Sequence, residues 1–319
     1  MIKFLSQIFT LDKNPRKGLL TIEWAVIVYA VVTTFLLLFM FTKVHNPGEL
    51  ILGRVHVIIT LAALWAVYRM IPCRFTLFAR IAVQLAFLAW WYPDTYEFNR
   101  LFPNLDHVFA TWEQDLFGFQ PALLFSQAIP SHIFSELMDL GYSSYYVFIF
   151  VVVLFYFCFR YNEFEKASTI VLLSFLIYYI VYIFLPVTGP QFYYGAVGID
   201  QIAKGVFPNV GDYFNTHNAA LASPGYADGF FYHLVEDPKA AGERPTAAFP
   251  SSHVGVATII MLLSMHTRNK RLTLFLLPFY ILLCFSTVYI QAHYAIDAFA
   301  GLLSGVILYY ALKYSLRNL

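Results

Sequence analysis

Eight apolar runs, each close to the length of a bilayer-spanning helix, constrain this sequence more than any other feature. A spanning helix needs about 20 mostly apolar residues. Runs near that length lie at 21–42, 50–71, 74–92, 143–160, 167–187, 251–267, 272–290 and 294–314. Only 12% of the residues are charged and 60% are hydrophobic, whereas a soluble domain carries about 25% charged residues. The pattern predicts an all-α, polytopic integral membrane bundle of about eight transmembrane helices.

Two long polar stretches separate the runs, at 93–142 and 188–250. In the first, apolar residues at helical spacing are interrupted by Pro121 and Pro130. This stretch therefore predicts one or two interfacial or re-entrant helices on the outer face. Charged residues inside the second and third runs are expected to extend to the membrane surface. They are Arg54, His56, Arg69 and Arg80.

Basic residues indicate the orientation, because cytoplasmic loops are enriched in lysine and arginine. Threading eight spans in order places the basic clusters on one side. They comprise Lys3, Lys13, Arg16, Lys17, Arg69, Arg74, Arg160, Lys166, Arg268, Lys270, Arg271, Lys313 and Arg317. Both termini are thus predicted to be cytoplasmic, with the loop 188–250 facing a periplasm or lumen. No Asn-x-Ser/Thr sequon occurs, which favours a bacterial inner membrane.

The charge balance and the cysteines exclude several classes of function. A net charge of +1 gives no reason to expect nucleic acid as a partner. Cys73, Cys158 and Cys284 all lie in or beside apolar runs. We therefore expect no disulfide, no metal site and no cofactor.

Two short stretches combine ionisable residues with the start of an apolar run. They read GERPTAAFPSSHVGVATIIMLL (242–263) and STVYIQAHYAIDAFAG (286–301). His293 and Asp297 are four residues apart and share one helix face. An aspartate that accepts a hydrogen bond from one imidazole nitrogen leaves the other nitrogen free as a nucleophile. His253 is predicted at the same membrane edge, where it is suited to protonate a leaving oxygen.

The residues around His253 suit a phosphate group. Arg244 offers a planar fork for two hydrogen bonds. Because a helix is expected to begin directly after Pro250, the amides of Ser251, Ser252 and His253 are predicted to be unpaired and available to an anion.

Three blocks resemble the signature of the type 2 phosphatidic acid phosphatase superfamily. They are Arg244-Pro245, PSSH at 250–253 and HYAID at 293–297. The resemblance implies a metal-independent enzyme with a phosphohistidine intermediate. It also implies a six-helix phosphatase-type core with extra N-terminal helices. We accordingly divide the one continuous membrane domain into 1–142, with the interfacial segment, and a catalytic core, 143–319.

The same resemblance assigns a role to each site residue. His293 resembles the nucleophile, Asp297 its orienting partner and His253 the general acid. The residues that resemble phosphate ligands are Arg244, Ser251 and Ser252.

A looser likeness points to one branch of the superfamily. LDHVFATWEQDLFGFQP, LGYSSYYVFIF and LPVTGPQFY are similar to segments of inositol phosphorylceramide synthases and sphingomyelin synthases. This likeness implies transfer of a phospho-headgroup such as phosphoinositol between lipids, with a ceramide-like alcohol as acceptor. The alternative is a lipid phosphate phosphatase acting on phosphatidic acid or polyprenyl pyrophosphate.

Two cations of the superfamily pattern are missing. The expected lysine is replaced by Asp237, and the nearest lysine is Lys239. The expected Ser-Arg pair is replaced by Ser286-Thr287. Since a phosphodiester carries one negative charge and a monoester nearly two, fewer cations favour a diester donor.

Simpler interpretations of the same residues stay open. His293 with Asp297, and Ser251 with Ser252, also fit helix capping at a membrane surface. A function of another class is a haem- or quinone-binding membrane protein with His253 and His293 as ligands. A transporter fits less well, because no helix has the paired Gly/Pro interruption of a midplane binding site.

Overall fold

A computed structural model describes residues 7–240 and 244–319, apart from the side chain of residue 240. Those residues form fifteen α-helices and one short 3₁₀ turn, with no β-strand. The N-terminal helices are α1 Thr21–Phe39, α2 Pro47–Met70, α3 Arg74–Ala86, α4 Leu88–Asn99, α5 Asp106–Phe117, α6 Pro121–Ala128 and α7 His132–Ser143. The remaining helices are α8 Tyr145–Phe159, α9 Tyr161–Phe184, α10 Pro190–Val197, α11 Ile199–Ala203, α12 Phe230–Ala240, α13 Ser252–His266, α14 Lys270–Tyr289 and α15 Ala295–Ser315.

Six helical segments are long and apolar enough to cross a membrane. They are α1, α2, α3 with α4, α9, α14 and α15. The pair α7 and α8, bent by 46°, makes a seventh if it is one span. The prediction of an all-helical membrane bundle is confirmed. The predicted span at 251–267 forms α13, which has only 15 residues and is therefore shorter than a typical span.

Part of the stretch predicted to be interfacial belongs to the helices of the bundle. Helix α4 continues to Asn99, and α7 forms the first half of the bent pair. The helix continues past residue 92 because the carboxylate of Asp94 is paired inside the protein. Its Oδ2 lies 2.9 Å from Nη2 of Arg54, and both side chains are buried.

A second buried ion pair joins α1 to α3. Arg80 donates from Nε to Oε1 of Glu23 at 2.7 Å, and neither side chain is exposed. Arg54 and Arg80 therefore do not extend to the membrane surface as predicted from the sequence. Each is instead neutralised by an acidic partner from another helix, because an unpaired charge in lipid is costly.

Helices α13 and α15 pack closely because glycines line their contact. A Cβ on Gly301 would lie 2.4 Å from the carbonyl oxygen of Ser251. A Cβ on Gly305 would lie 2.4 Å from the carbonyl oxygen of Gly255. Small residues are the usual means by which membrane helices bring their backbones together. This contact sets the distance between the starts of the two helices.

We expect Gly305→Ala to destabilise the protein by about 1–3 kcal/mol, because the added methyl group meets backbone rather than a movable side chain. Thermal unfolding in detergent measures the change. Gly48→Ala is the matched control, since a Cβ at Gly48 has no atom within 4 Å. Equal melting temperatures for the two variants would contradict the tight contact.

Candidate active site

Two histidines from distant parts of the sequence are in direct contact. Nε2 of His293 lies 3.4 Å from Nδ1 of His253, and the ring centroids are 5.6 Å apart. His293 precedes the first turn of α15, and His253 lies in the first turn of α13. The glycine contact between these helices therefore brings the two imidazoles together.

The second nitrogen of His293 faces a backbone carbonyl. Nδ1 lies 2.9 Å from the oxygen of Ala248 and 3.6 Å from Oδ2 of Asp297. A carbonyl only accepts hydrogen bonds, so Nδ1 carries the hydrogen and Nε2 keeps its lone pair. The orienting partner inferred from the sequence, Asp297, thus lies beside the ring, while Ala248 is its nearest acceptor.

Burial of His293 favours the neutral ring. Only 3% of the residue is exposed. Burial lowers the pKa of His293 to about 4, although the hydrogen bond to Ala248 acts in the opposite direction. Near neutral pH this imidazole is uncharged, which is the state that a nucleophile requires.

The position of Ala248 depends on a buried carboxylate in α5. Oδ2 of Asp106 accepts the amide of Thr188 at 2.7 Å, and Oδ1 accepts the amide of Gly189 at 2.8 Å. The carbonyl of Val187, in the same turn, accepts the amide of Ala248 at 2.6 Å. Asp106, in the first polar stretch (93–142), therefore helps to position the carbonyl of Ala248 that orients His293.

The amides at the start of α13 differ from the sequence prediction. The amide of Ser251 donates to the carbonyl of Asp297 at 3.0 Å, and that of Ser252 donates to the hydroxyl of Tyr182 at 2.9 Å. The prediction of three unpaired amides is wrong for these two. Buried backbone donors need partners, and close packing against α15 and α9 supplies them. Ser251 also caps the helix, since its Oγ accepts the amide of Val254.

A cavity of about 970 Å³ leads to His253. Its polar end is lined by Ser252, His253, Arg244 and Lys239. The rest of the wall is mostly apolar and comes from α3, α4, α8 and α9. His253 lies on this wall between the rings of Tyr142 and Tyr145, at centroid distances of 4.8 and 4.5 Å. His293 is directly behind it.

The two cations at this cavity are held by carboxylates. Nη1 of Arg244 lies 3.0 Å from Oε1 of Glu97, and the arginine side chain is 48% exposed. Nζ of Lys239 lies 2.9 Å from Oε1 of Glu236 and 2.6 Å from Oγ of Ser223. Lys239, the lysine nearest in sequence to the missing one, thus lines the cavity.

Asp237 and the pair Ser286-Thr287, which replace the missing cations, lie away from this wall. The side chain of Asp237 is 76% exposed, and its Oδ1 is 3.7 Å from Nδ1 of His233. Ser286 and Thr287 are buried, and the carbonyl of Thr287 accepts the amide of His293. Thr287 therefore supports the backbone at His293, and neither Ser286 nor Thr287 supplies a charge to the site.

A family model for the PAP2 superfamily matches residues 107–311. The chain belongs to the PAP2 superfamily. No curated protein and no solved structure matches it. Membership in the PAP2 superfamily supports a phosphatase-type enzyme with lipid phosphates as substrates. The matched region contains both histidines, Arg244 and Asp297.

Sequence reasoning missed Glu113, a buried acid in α5. Its Oε1 accepts the amide of Ala295 at 2.5 Å, at the start of α15. Burial, and secondarily the charge of Asp297, raise the pKa of Glu113 to about 8. Glu113 is therefore protonated at neutral pH. Glu113 lies in an interrupted amphipathic stretch, so nothing in the sequence indicated its contact with the start of α15.

Replacing Glu113 with glutamine should make stability less dependent on pH. The folded-state pKa is raised above the usual 4.5, so the folded state binds more protons and loses stability as pH rises through 8. The glutamine variant lacks this loss. The free energy of unfolding of the variant, relative to that of the wild type, should increase by about 1–2 kcal/mol from pH 6.5 to 8.5.

Thermal unfolding in detergent at the two pH values measures this effect. Burial depresses the pKa of His293, so its contribution to stability is lost as pH falls from about 6.5 towards 4, below this window. The exposed Glu49 supplies the control variant Glu49→Gln, which should follow the wild type. If the difference in stability between Glu113→Gln and the wild type is the same at both pH values, Glu113 is ionised.

Proposed function

We propose that the protein is a lipid phosphotransferase that works through a phosphohistidine intermediate. It moves a phospho-headgroup such as phosphoinositol from a glycerolipid to a ceramide-like alcohol. The observation that carries the proposal is the contact between Nε2 of His293 and Nδ1 of His253 at the polar end of an apolar cavity. Membership in the PAP2 superfamily supports the broader class of lipid phosphatases and phosphotransferases.

The reaction proceeds in two displacements at phosphorus. In the first, Nε2 of His293 forms a bond to phosphorus while the bond to the diacylglycerol oxygen breaks. Burial lowers the pKa of His253 to about 3, so the negative charge of the entering phosphate is what stabilises the protonated ring. Protonated His253 gives its proton to that oxygen. In the second, the acceptor hydroxyl gives its proton to His253, and its oxygen displaces His293 from phosphorus. The phosphate group enters between the two rings, which are 3.4 Å apart at Nε2 of His293 and Nδ1 of His253.

The surrounding groups have distinct roles in this proposal. Asp297, 3.6 Å from Nδ1 of His293, stabilises the positive charge that develops on the phosphorylated ring. Arg244 and Lys239 provide positive charge at the cavity. The hydroxyl of Ser252, which lines the cavity, completes the phosphate ligands, while that of Ser251 is buried and caps α13. A phosphodiester, with one negative charge, suits a site whose cations are already partly balanced by Glu97 and Glu236.

The proposed location of the enzyme follows from the basic clusters. Both termini are cytoplasmic, and the histidine pair lies at the periplasmic or luminal face, in an inner membrane of a bacterium. The donor and the acceptor both come from the bilayer, because the cavity is lined by membrane helices.

The decisive assay follows labelled phosphatidylinositol with purified protein, with and without ceramide. We expect label in phosphorylceramide for the wild type and at least a thousandfold less for His293→Ala. We also expect a loss of about a hundredfold or more for His253→Ala, since general acid catalysis contributes about 10²–10⁴-fold. Acid-sensitive labelling of the protein should be detectable in the wild type and absent in His293→Ala.

Water-soluble inositol phosphate as the product, unchanged by ceramide, would establish hydrolysis of the diester by the same residues in place of transfer to ceramide. Faster turnover of phosphatidic acid or polyprenyl pyrophosphate would support the phosphatase alternative. Full activity in both histidine variants would falsify the mechanism.

The geometry does not favour the haem-binding alternative. In a haem bound by two histidines the axial nitrogens lie on opposite sides of the iron, so two bonds of about 2 Å each separate them by about 4 Å. Nε2 of His293 and Nδ1 of His253 are closer than that, at 3.4 Å. Direct imidazole contact suits proton transfer better than shared coordination.

The cavity should also select substrates by chain length. Along α9 its wall runs from Tyr179 to Phe164, about 22 Å of helix and most of the roughly 30 Å hydrocarbon core. Ala82→Phe narrows the end distant from His253. We expect it to lower turnover of an eighteen-carbon substrate at least tenfold and that of an eight-carbon substrate less than twofold.

The matched control is Ala63→Phe, because Ala63 is exposed on α2 and does not line the cavity. It should leave both rates unchanged. An equal loss for both chain lengths in Ala82→Phe would show that the cavity does not hold the acyl chain.

A further inference from the structure

A second cavity, of about 410 Å³, lies at the opposite end of the bundle from the histidine pair. Helix α13 connects the two ends, with His253 in its first turn and His266 at its last residue. Thirteen residues of helix span about 20 Å. The second cavity is therefore separate from the proposed catalytic site.

Basic side chains dominate the wall of this cavity. The acidic, basic and histidine side chains that line it are Arg160, Glu163, Lys166, His266, Lys313 and Arg317. Glu163 is the one acidic side chain among the described residues on this wall. It is already engaged by Arg160 and by His266, whose Nε2 lies 3.2 Å from Oε2 of Glu163.

Three of the cations have no acidic partner. Within the described part of the chain, no carboxylate lies within 4.0 Å of the charged groups of Lys166, Lys313 or Arg317. Nζ of Lys313 instead donates to Nδ1 of His266 at 3.3 Å. This donation requires a neutral His266 ring and keeps the lysine directed at the cavity. The cavity therefore carries an excess of positive charge.

The floor and rim of this cavity are apolar. Its floor includes the buried side chains of Tyr156, Ile170 and Leu263. Phe159 and Tyr310, next in the chain to the lining residues Arg160 and Tyr309, expose 73% and 58% of their surface. An anion that binds here has cations around its charge and an apolar surface next to it.

We propose that this basic pocket binds the phosphate-bearing headgroup of an anionic lipid from the leaflet at this end of the bundle. The cations complement the phosphate, and the exposed aromatic side chains contact the acyl chains. Basic pockets between membrane helices commonly take such headgroups. The bound lipid is about 20 Å from His293, so it is not a substrate and stays with the protein.

Native mass spectrometry of the purified protein tests this site. The probes are dioleoylphosphatidylglycerol and dioleoylphosphatidylcholine, which share acyl chains and differ in charge. The His293→Ala background prevents turnover of either probe. Lys313→Gln/Arg317→Gln removes two cations from the pocket. Lys270→Gln/Arg271→Gln is the matched control, since it removes the same charge from the exposed start of α14 at the same end of the bundle.

We expect one phosphatidylglycerol to bind in preference to phosphatidylcholine. The pocket variant should bind it about twentyfold more weakly, because each cation near a membrane surface contributes roughly fivefold. The control variant should keep the affinity. In lipid-free detergent the melting temperature of the pocket variant should match that of the control variant, which shows that the protein is folded.

Three results would overturn the proposal. One is equal binding of the two lipids by the parent protein. Another is an equal loss in both double variants, which indicates general attraction to this end of the bundle. The third is displacement of phosphatidylglycerol by inorganic phosphate or glycerophosphoglycerol at the same concentration, which indicates a site for a soluble phosphate. None of these results bears on the histidine chemistry.

Discussion

The contact between α13 and α15 is the constraint on which the rest of the site depends. Gly255, Gly301 and Gly305 allow backbone to meet backbone, and the amide of Ser251 donates to the carbonyl of Asp297 across the contact. Two helix starts are thereby held at a fixed separation. The 3.4 Å distance between the imidazoles of His253 and His293 follows from this backbone geometry, so it does not rely on long, flexible side chains.

Behind the histidines lies a layer of buried acids that belongs to the first polar stretch and to α15. Asp106 holds the turn at 187–189 through three hydrogen bonds, and Glu113 caps α15. Burying acids in a membrane protein is costly unless their oxygens accept hydrogen bonds. Here backbone amides supply these bonds, so the same bonds that satisfy Asp106 and Glu113 also rigidify the loop and helix around His293.

The sequence predicted most of the membrane helices and the meeting of His253 and His293. Apolar runs must become helices in lipid, because only a helix satisfies its own backbone there. The sequence did not reveal the partners of Arg54 and Arg80, the carbonyl of Ala248 beside His293, or the hydroxyl of Tyr182 on the amide of Ser252. Each of these contacts joins segments distant in the chain. Periodicity and spacing describe neighbours along one helix and carry no information about which helix packs opposite.

The larger cavity opens sideways, next to α8. Tyr146 and Phe150 line it and are 75% and 59% exposed on the surface that faces lipid. A molecule that reaches His253 by this route diffuses in two dimensions and never dissolves in water. Its effective concentration is a mole fraction of the bilayer. Adding inert lipid at a constant bulk amount of substrate therefore dilutes the substrate for this protein, as adding buffer does for a soluble enzyme.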